Sequence, residues 1–263
     1  MNTIHFVGGE KGGVGKSVVA RLLAQLFVDR SLRFTALDAD RSHGALVRYY
    51  SDFSSAVDLD RLESADQIVE AALGPNGRVL VDLPAQSHRH LQRWLEQSDV
   101  LAFTREMNVA IVFWFVTDGG YDSVTHLEQL LESFGNSFRF VVVQNQGRSK
   151  SFDQFEASDG YRALLSHGGR VLALPELDPA VMYKLDRSGA SFWAAVHSTE
   201  GPRALSPLER RRAKLWLERA HAALEPGVEL RPARREAPLE SERAPAPNGT
   251  FFDDEVTEAV SRQ

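Results

Sequence analysis

The sequence predicts an α/β fold, a mainly parallel sheet of about seven strands with helices on both faces. Short apolar runs rich in β-branched and aromatic residues alternate with amphipathic stretches along the chain. Such an alternation implies parallel neighbours, because a parallel pair needs a crossover connection and the crossover is normally a helix.

The elements follow in order. Residues 4–7, with Ile4, Phe6 and Val7, read as the first buried strand, and 16–29 as the first long helix. Phe34 to Leu37 and Val79 to Val81 give the next two strands, followed by a helix over 88–96. The apolar run 100–103 reads as a strand, as does the longer run 110–116, and a helix follows over 121–134. Residues 138–143 and 171–174 complete the set, with a helical stretch over 152–167 between them. Further helices are expected over 188–197, carrying the aromatic pair Phe192 and Trp193, and over 207–224. No internal repeat is present. The chain is expected to divide into one domain over 1–224 and a disordered tail over 225–263. That tail holds five of the eleven prolines, with five basic and nine acidic residues.

Composition narrows the chemistry. There is no cysteine, which excludes disulfides, thiolate metal sites and cysteine nucleophiles and fits a reducing compartment. The start of the chain lacks the pattern of a secretory signal, and no run of about 18 or more apolar residues follows, so a cytoplasmic protein without a membrane anchor is expected. A net charge of −6 argues against a wholesale nucleic-acid coat but permits local basic patches.

Between the first strand and the first long helix stands Gly8-Gly9-Glu10-Lys11-Gly12-Gly13-Val14-Gly15-Lys16-Ser17. Glycines let successive backbone N–H groups turn inward on a polyphosphate, and the helix start adds the positive end of its dipole. Lys16 would neutralise the β- and γ-phosphates of ATP, and the Ser17 hydroxyl would ligate magnesium. Glu10 occupies the position where the strict phosphate-loop pattern has its first glycine.

The string Lys11-Gly12-Gly13-Val14-Gly15-Lys16-Ser17 resembles the deviant Walker A motif of the ParA/MinD family of P-loop ATPases. The resemblance implies that Lys11 reaches across an ATP-dependent homodimer to the partner's phosphates, and that Gly12 to Val18 cradle the nucleotide. Ala36-Leu37-Asp38-Ala39-Asp40 is similar to the family's first switch, which implies a water-positioning Asp40 and an Asp38 that supports the magnesium shell. Arg41 and Ser42 depart from the usual proline and glutamine there. Val79-Leu80-Val81-Asp82 resembles the Walker B strand, so Asp82 would hold magnesium through water. Pro84 and Ala85 look like the start of the second switch, with Gln86 in place of a glycine.

No guanine-reading Asn/Thr-Lys-x-Asp string appears, which favours adenine. The resemblance implies that Asn145 meets the base, with the loop at Leu174-Pro175-Glu176 packing beside it. Taken by itself, Asn145 reads equally well as an ordinary loop residue.

Two peripheral features remain. The stretch 203–219 holds six basic and two acidic residues. It reads either as a solvated helix face or as a non-specific DNA patch through Arg210, Arg211 and Lys214. The end of the tail, with Phe251 and Phe252 before Asp253, Asp254 and Glu255, reads either as inert or as a short docking segment at 250–260.

The function expected is an ATP-binding, slowly hydrolysing, partner-stimulated dimerisation switch. It would position or segregate DNA or a large assembly, such as plasmid or chromosome partition, conjugation or secretion machinery, with an activator or adaptor protein. The alternative is an ATP-dependent metabolic ligase on the same scaffold. Cysteine-using reductases and carriers of the superfamily do not fit a chain without cysteine, and tyrosine kinases with tyrosine-rich tails do not fit one whose last tyrosine is Tyr183.

Overall fold

In the computed structural model, which describes residues 2–41, 44–201 and 204–228, seven strands form a single sheet. They are β1 (Thr3–Gly8), β2 (Thr35–Asp38), β3 (Ser54–Ala56), β4 (Arg78–Asp82), β5 (Ala110–Thr117), β6 (Arg139–Asn145) and β7 (Arg170–Leu174). Their order is β3-β2-β4-β1-β5-β6-β7, and every paired neighbour is parallel. All strands therefore end on one edge, and the loops leaving β1, β2, β4, β5 and β6 gather there. In open parallel sheets ligands bind outside these carboxyl ends.

Alternate residues of each strand feed two cores. Ile4, Phe6, Val79, Val81, Ile111, Phe113, Phe140 and Val142 pack on one face, under helices that include His88–Gln97 and Tyr121–Phe134. Val7, Ala36, Leu80, Val112, Trp114, Val141 and Val143 pack on the other, under Lys16–Asp29, Pro179–Ser188 and Pro207–Val228. This is the period of two expected of a pleated strand.

Four local readings are corrected. Residues 100–103 are not a strand but the start of helix Val100–Glu106, in which the buried positions are Val100 and Thr104, one helical turn apart, while Phe103 is exposed. The seventh strand is instead β3, three small residues at the sheet edge with no apolar run to announce them. The stretch 152–167 divides into Asp153–Glu156 and Asp159–Ser166, because Ser158 caps a new helix by accepting from the Tyr161 N–H at 3.1 Å. Likewise the expected helix over 188–197 starts later: Gly189, at φ 69°, ends Pro179–Ser188, and Ser191 caps Phe192–His197.

The last helix runs to Val228, past the expected boundary at 224. Its end is held by an Arg30–Glu225 ion pair at 2.7 Å and by Arg170, which donates to the Pro226 carbonyl at 2.7 Å. The docking segment expected at 250–260 lies outside the described residues. Among the described residues no helix is long and apolar enough to cross a membrane.

Candidate nucleotide site

The loop between β1 and helix Lys16–Asp29 lies at the gathered strand ends. Gly12 and Gly13 form its exposed crest, while Val14 and Lys16 are buried. Gly15 sits at φ 104°, and a Cβ there would stand 2.3 Å from the Asn145 amide nitrogen, so only glycine fits between loop and β6. Its carbonyl begins the helix by accepting from Val18 and Val19 N–H, both at 3.1 Å.

Lys16 folds back beneath the loop, and its Nζ donates to the Lys11 carbonyl at 2.8 Å. Burial lowers its pKa, and the negative charges of Asp82, Glu10 and Asp40 oppose that fall. A cation in that position, beneath a glycine-rich loop at a helix start, suits phosphate oxygens.

Asp82 ends β4 with no solvent exposure, and neither of its carboxylate oxygens meets a hydrogen-bond donor at regular geometry. Burial, followed by the charge of Asp38, pushes its pKa up to about 8, while the nearby Ser17 hydroxyl and Lys16 ammonium draw it down. A buried carboxylate with only the Ser17 hydroxyl and the Lys16 charge near it is short of partners, and a divalent cation or its bound water would supply one. No group of three or more His, Asp or Glu that could hold a metal occurs among the described residues. Ser17 stands beside Asp82, and a hydroxyl with a carboxylate suits an ion of the magnesium type, which keeps several waters and takes its remaining ligands from a phosphate.

Asp38 is held by backbone donors. Its Oδ2 accepts from Leu46 and Val47 N–H at 2.8 and 3.2 Å, and its Oδ1 from Asp40 N–H at 3.1 Å. It caps helix Ala45–Tyr49 and shapes the turn that carries Asp40. Burial raises its pKa against these bonds. Asp40 is half-buried, and its charge acts on both Lys16 and Asp82.

Lys11 points away from its own loop. Its Nζ pairs with Asp118 Oδ2 at 2.7 Å, where β5 ends, and its side chain is 36% exposed. Asp118 in turn accepts from Gly120 N–H and the Ser123 hydroxyl, both at 3.1 Å, so the lysine rests on the start of helix Tyr121–Phe134.

Asn145 is tied into the loop at both ends. Its amide nitrogen donates to the Val14 carbonyl at 2.8 Å and its oxygen accepts from Gly147 N–H at 3.1 Å. Asn145 thereby braces β6 against the phosphate loop. Asn145 still lines a cavity of about 310 Å³ with Val18, Pro175, Met182, Tyr183 and Trp216. A planar base fits such a mixed apolar slot next to the loop. Trp216 donates to the Pro175 carbonyl at 2.7 Å, which fixes the far wall from the last helix. Neither Trp216 nor Tyr183 carries a sequence signal, since the topology alone brings them there. A more open groove of about 580 Å³, lined by Glu128, Asp159 and His167 among others, lies between helices Tyr121–Phe134 and Asp159–Ser166.

The parallel sheet, the glycine loop leading into a helix, the paired lysines and the orphaned strand-end carboxylate define a nucleotide-binding P-loop protein with a deviant Walker A loop. Comparison with known sequences narrows the class. The chain is 30% identical over 190 residues to Protein TraL of Escherichia coli, covering 67% of this chain and 79% of that one. It is 25% identical over 223 residues to Protein MobD of Acidithiobacillus ferrooxidans, covering 82% and 96%. The chain belongs to the ParA/MinD family of P-loop ATPases, alongside TraL. Among solved structures, the septum site-determining protein MinD of Pyrococcus horikoshii complexed with Mg-ADP is similar at 14% identity and a TM-score of 0.49, over 82% of this chain and 93% of that one. No protein-family model matches the chain.

Proposed function

We propose that the chain binds ATP with magnesium, dimerises through the bound nucleotide and hydrolyses it slowly, so that assembly and release position DNA or a large cellular machine. Lys11 is the observation that carries the reading. It leaves the loop, is partly exposed and pairs with Asp118 of its own chain, while Lys16 fills the position beneath the loop. A second lysine with no task in its own site suits a phosphate in a partner's site.

In this reading the N–H groups of Gly12 to Ser17 and the Lys16 ammonium hold the β- and γ-phosphates. Ser17 and Asp82 hold magnesium, which would neutralise phosphate charge. Asp38 adds negative charge beside that ion and fixes the turn of Asp40. Asp40 orients the attacking water, since phosphoryl transfer depends on positioning and charge neutralisation. Pro175 and Val18 flank the base. An activator or adaptor protein would set the rate.

The test is the solution mass of the Asp40→Ala protein by light scattering. With magnesium and ATP the mass doubles from that of the 29.2 kDa chain, and with ADP it does not. A monomer in both nucleotides, with binding confirmed by titration, overturns the switch and favours the ligase.

A further inference from the structure

Glu10, the residue that breaks the strict loop pattern, turns out of the loop. Its Oε1 accepts from the His88 backbone N–H at 2.8 Å, and its carbonyl accepts from Gln86 N–H at 3.3 Å. His88 opens helix His88–Gln97, and Ser87 just before it makes no capping bond with its own side chain. The cap is thus supplied by Glu10, 78 residues earlier in the chain. A carboxylate is a favourable cap because it meets both the unpaired N–H and the positive end of the helix dipole. Leu83 to Ser87, which links Asp82 to this helix, is pinned to the loop by these two bonds, with Gln86 held at φ 59°.

The same carboxylate also acts on Lys16, together with Asp82 and Asp40. It therefore stands among the groups that a bound polyphosphate must meet. A further phosphate at the loop repels Glu10 and competes with it for the positive groups around it. We propose that Glu10 is a positioning residue that latches the segment after Asp82 to the phosphate loop and yields to the terminal phosphate of ATP but not to ADP. The second switch then moves only for the triphosphate. Glu10, which breaks the strict loop pattern, and Gln86, which stands where the family has glycine, are two sides of one contact. The inference rests on the reading that the loop binds ATP.

The experiment follows amide hydrogen exchange over 83–91 in the full-length protein, with no nucleotide, with magnesium and ADP, and with magnesium and the non-hydrolysable analogue AMP-PNP. Affinities for both nucleotides are measured by calorimetry in wild type, Glu10→Gln and Glu10→Ala. AMP-PNP, but not ADP, speeds exchange over 86–91 in the wild type. In Glu10→Ala that exchange is already fast without nucleotide. Both variants prefer AMP-PNP over ADP by about 5-fold or more beyond the wild-type ratio. A role confined to capping would change exchange and leave this ratio alone. Binding of both nucleotides with an unchanged ratio in both variants overturns the latch alone, as does equal wild-type exchange in the two nucleotides. A wild type that binds neither nucleotide overturns the ATP reading and the latch with it.

Discussion

Lys16 and Lys11 are five residues apart and have opposite surroundings, one buried beneath the loop and the other reaching outward to Asp118. Their substitutions should separate accordingly. Lys16→Ala abolishes ATP binding in calorimetric titration. Lys11→Ala, on the Asp40→Ala background, binds ATP but stays monomeric in light scattering. Equal loss of binding in both variants would sink the trans role of Lys11. Gln86 gives a second residue-scale prediction. Its backbone keeps the left-handed geometry that a glycine adopts freely, at φ 59°, and its side chain is exposed. A non-glycine residue there costs about 1–2 kcal/mol, against which glycine loses about 0.4–1 kcal/mol through the greater freedom of the unfolded chain. Gln86→Gly is thus expected to raise stability by about 0.5–1 kcal/mol, read as a higher urea midpoint at an unchanged slope. A lower midpoint would mean that the glutamine side chain makes a contact worth more than the strain.

At the scale of elements, the last helix carries two tasks on opposite sides. Ala213, Trp216, Ala220 and Leu224 are buried, and Trp216 reaches the wall of the base cavity. Arg211, Arg212, Lys214 and Arg219 are exposed on the outer side. Arg210, one of the three residues expected to form a DNA patch, is half-buried and donates to the Ser198 carbonyl at 3.1 Å. The exposed set therefore centres the patch on Arg211, Arg212 and Lys214. If these three neutralise backbone phosphates, affinity for unrelated duplexes should fall about 40-fold between 50 and 200 mM salt, following the counterion slope for three contacts. The gel shift should vanish when all three are changed to glutamate. Absence of any shift in the wild type at low salt would remove the patch and leave a solvated helix face.

Across the whole molecule, what could be read in advance was what local chemistry encodes. Buried parallel strands are continuous apolar runs, and the phosphate loop is a string of adjacent residues, so β1, β5, β6 and the loop were legible. β3 was not, because an edge strand of two serines and an alanine buries too little to leave a pattern. The base cavity and the Glu10–His88 contact were hidden for another reason: they join residues far apart in sequence, and only sheet order brings them together. His5 on β1 is of this second kind. It reads as one polar residue in an apolar strand, but the fold places it 1% exposed, with Trp114 Nε1 donating to its Nδ1 at 3.2 Å. Burial first, and then the charge of Arg78, lowers its pKa from 6.5 to about 3. The sign follows from linkage. Above pH 6.5 the ring is neutral whether the chain is folded or not, and His5 costs nothing. Between 6.5 and 3 the unfolded chain binds a proton that the folded chain refuses, so stability falls as pH falls, by about 1.4 kcal/mol per pH unit from this group. His221, also lowered by burial, pushes in the same direction, so the wild-type acid sensitivity alone cannot assign the effect. His5→Gln keeps an acceptor for Trp114 and removes the titration. It should start less stable at pH 7 because its packing against Phe27 changes, yet lose about 2 kcal/mol less than the wild type between pH 6.5 and 5 in denaturant titrations. Parallel stability curves for the two proteins over that range would show that His5 takes up its proton in the folded chain as readily as in the unfolded one.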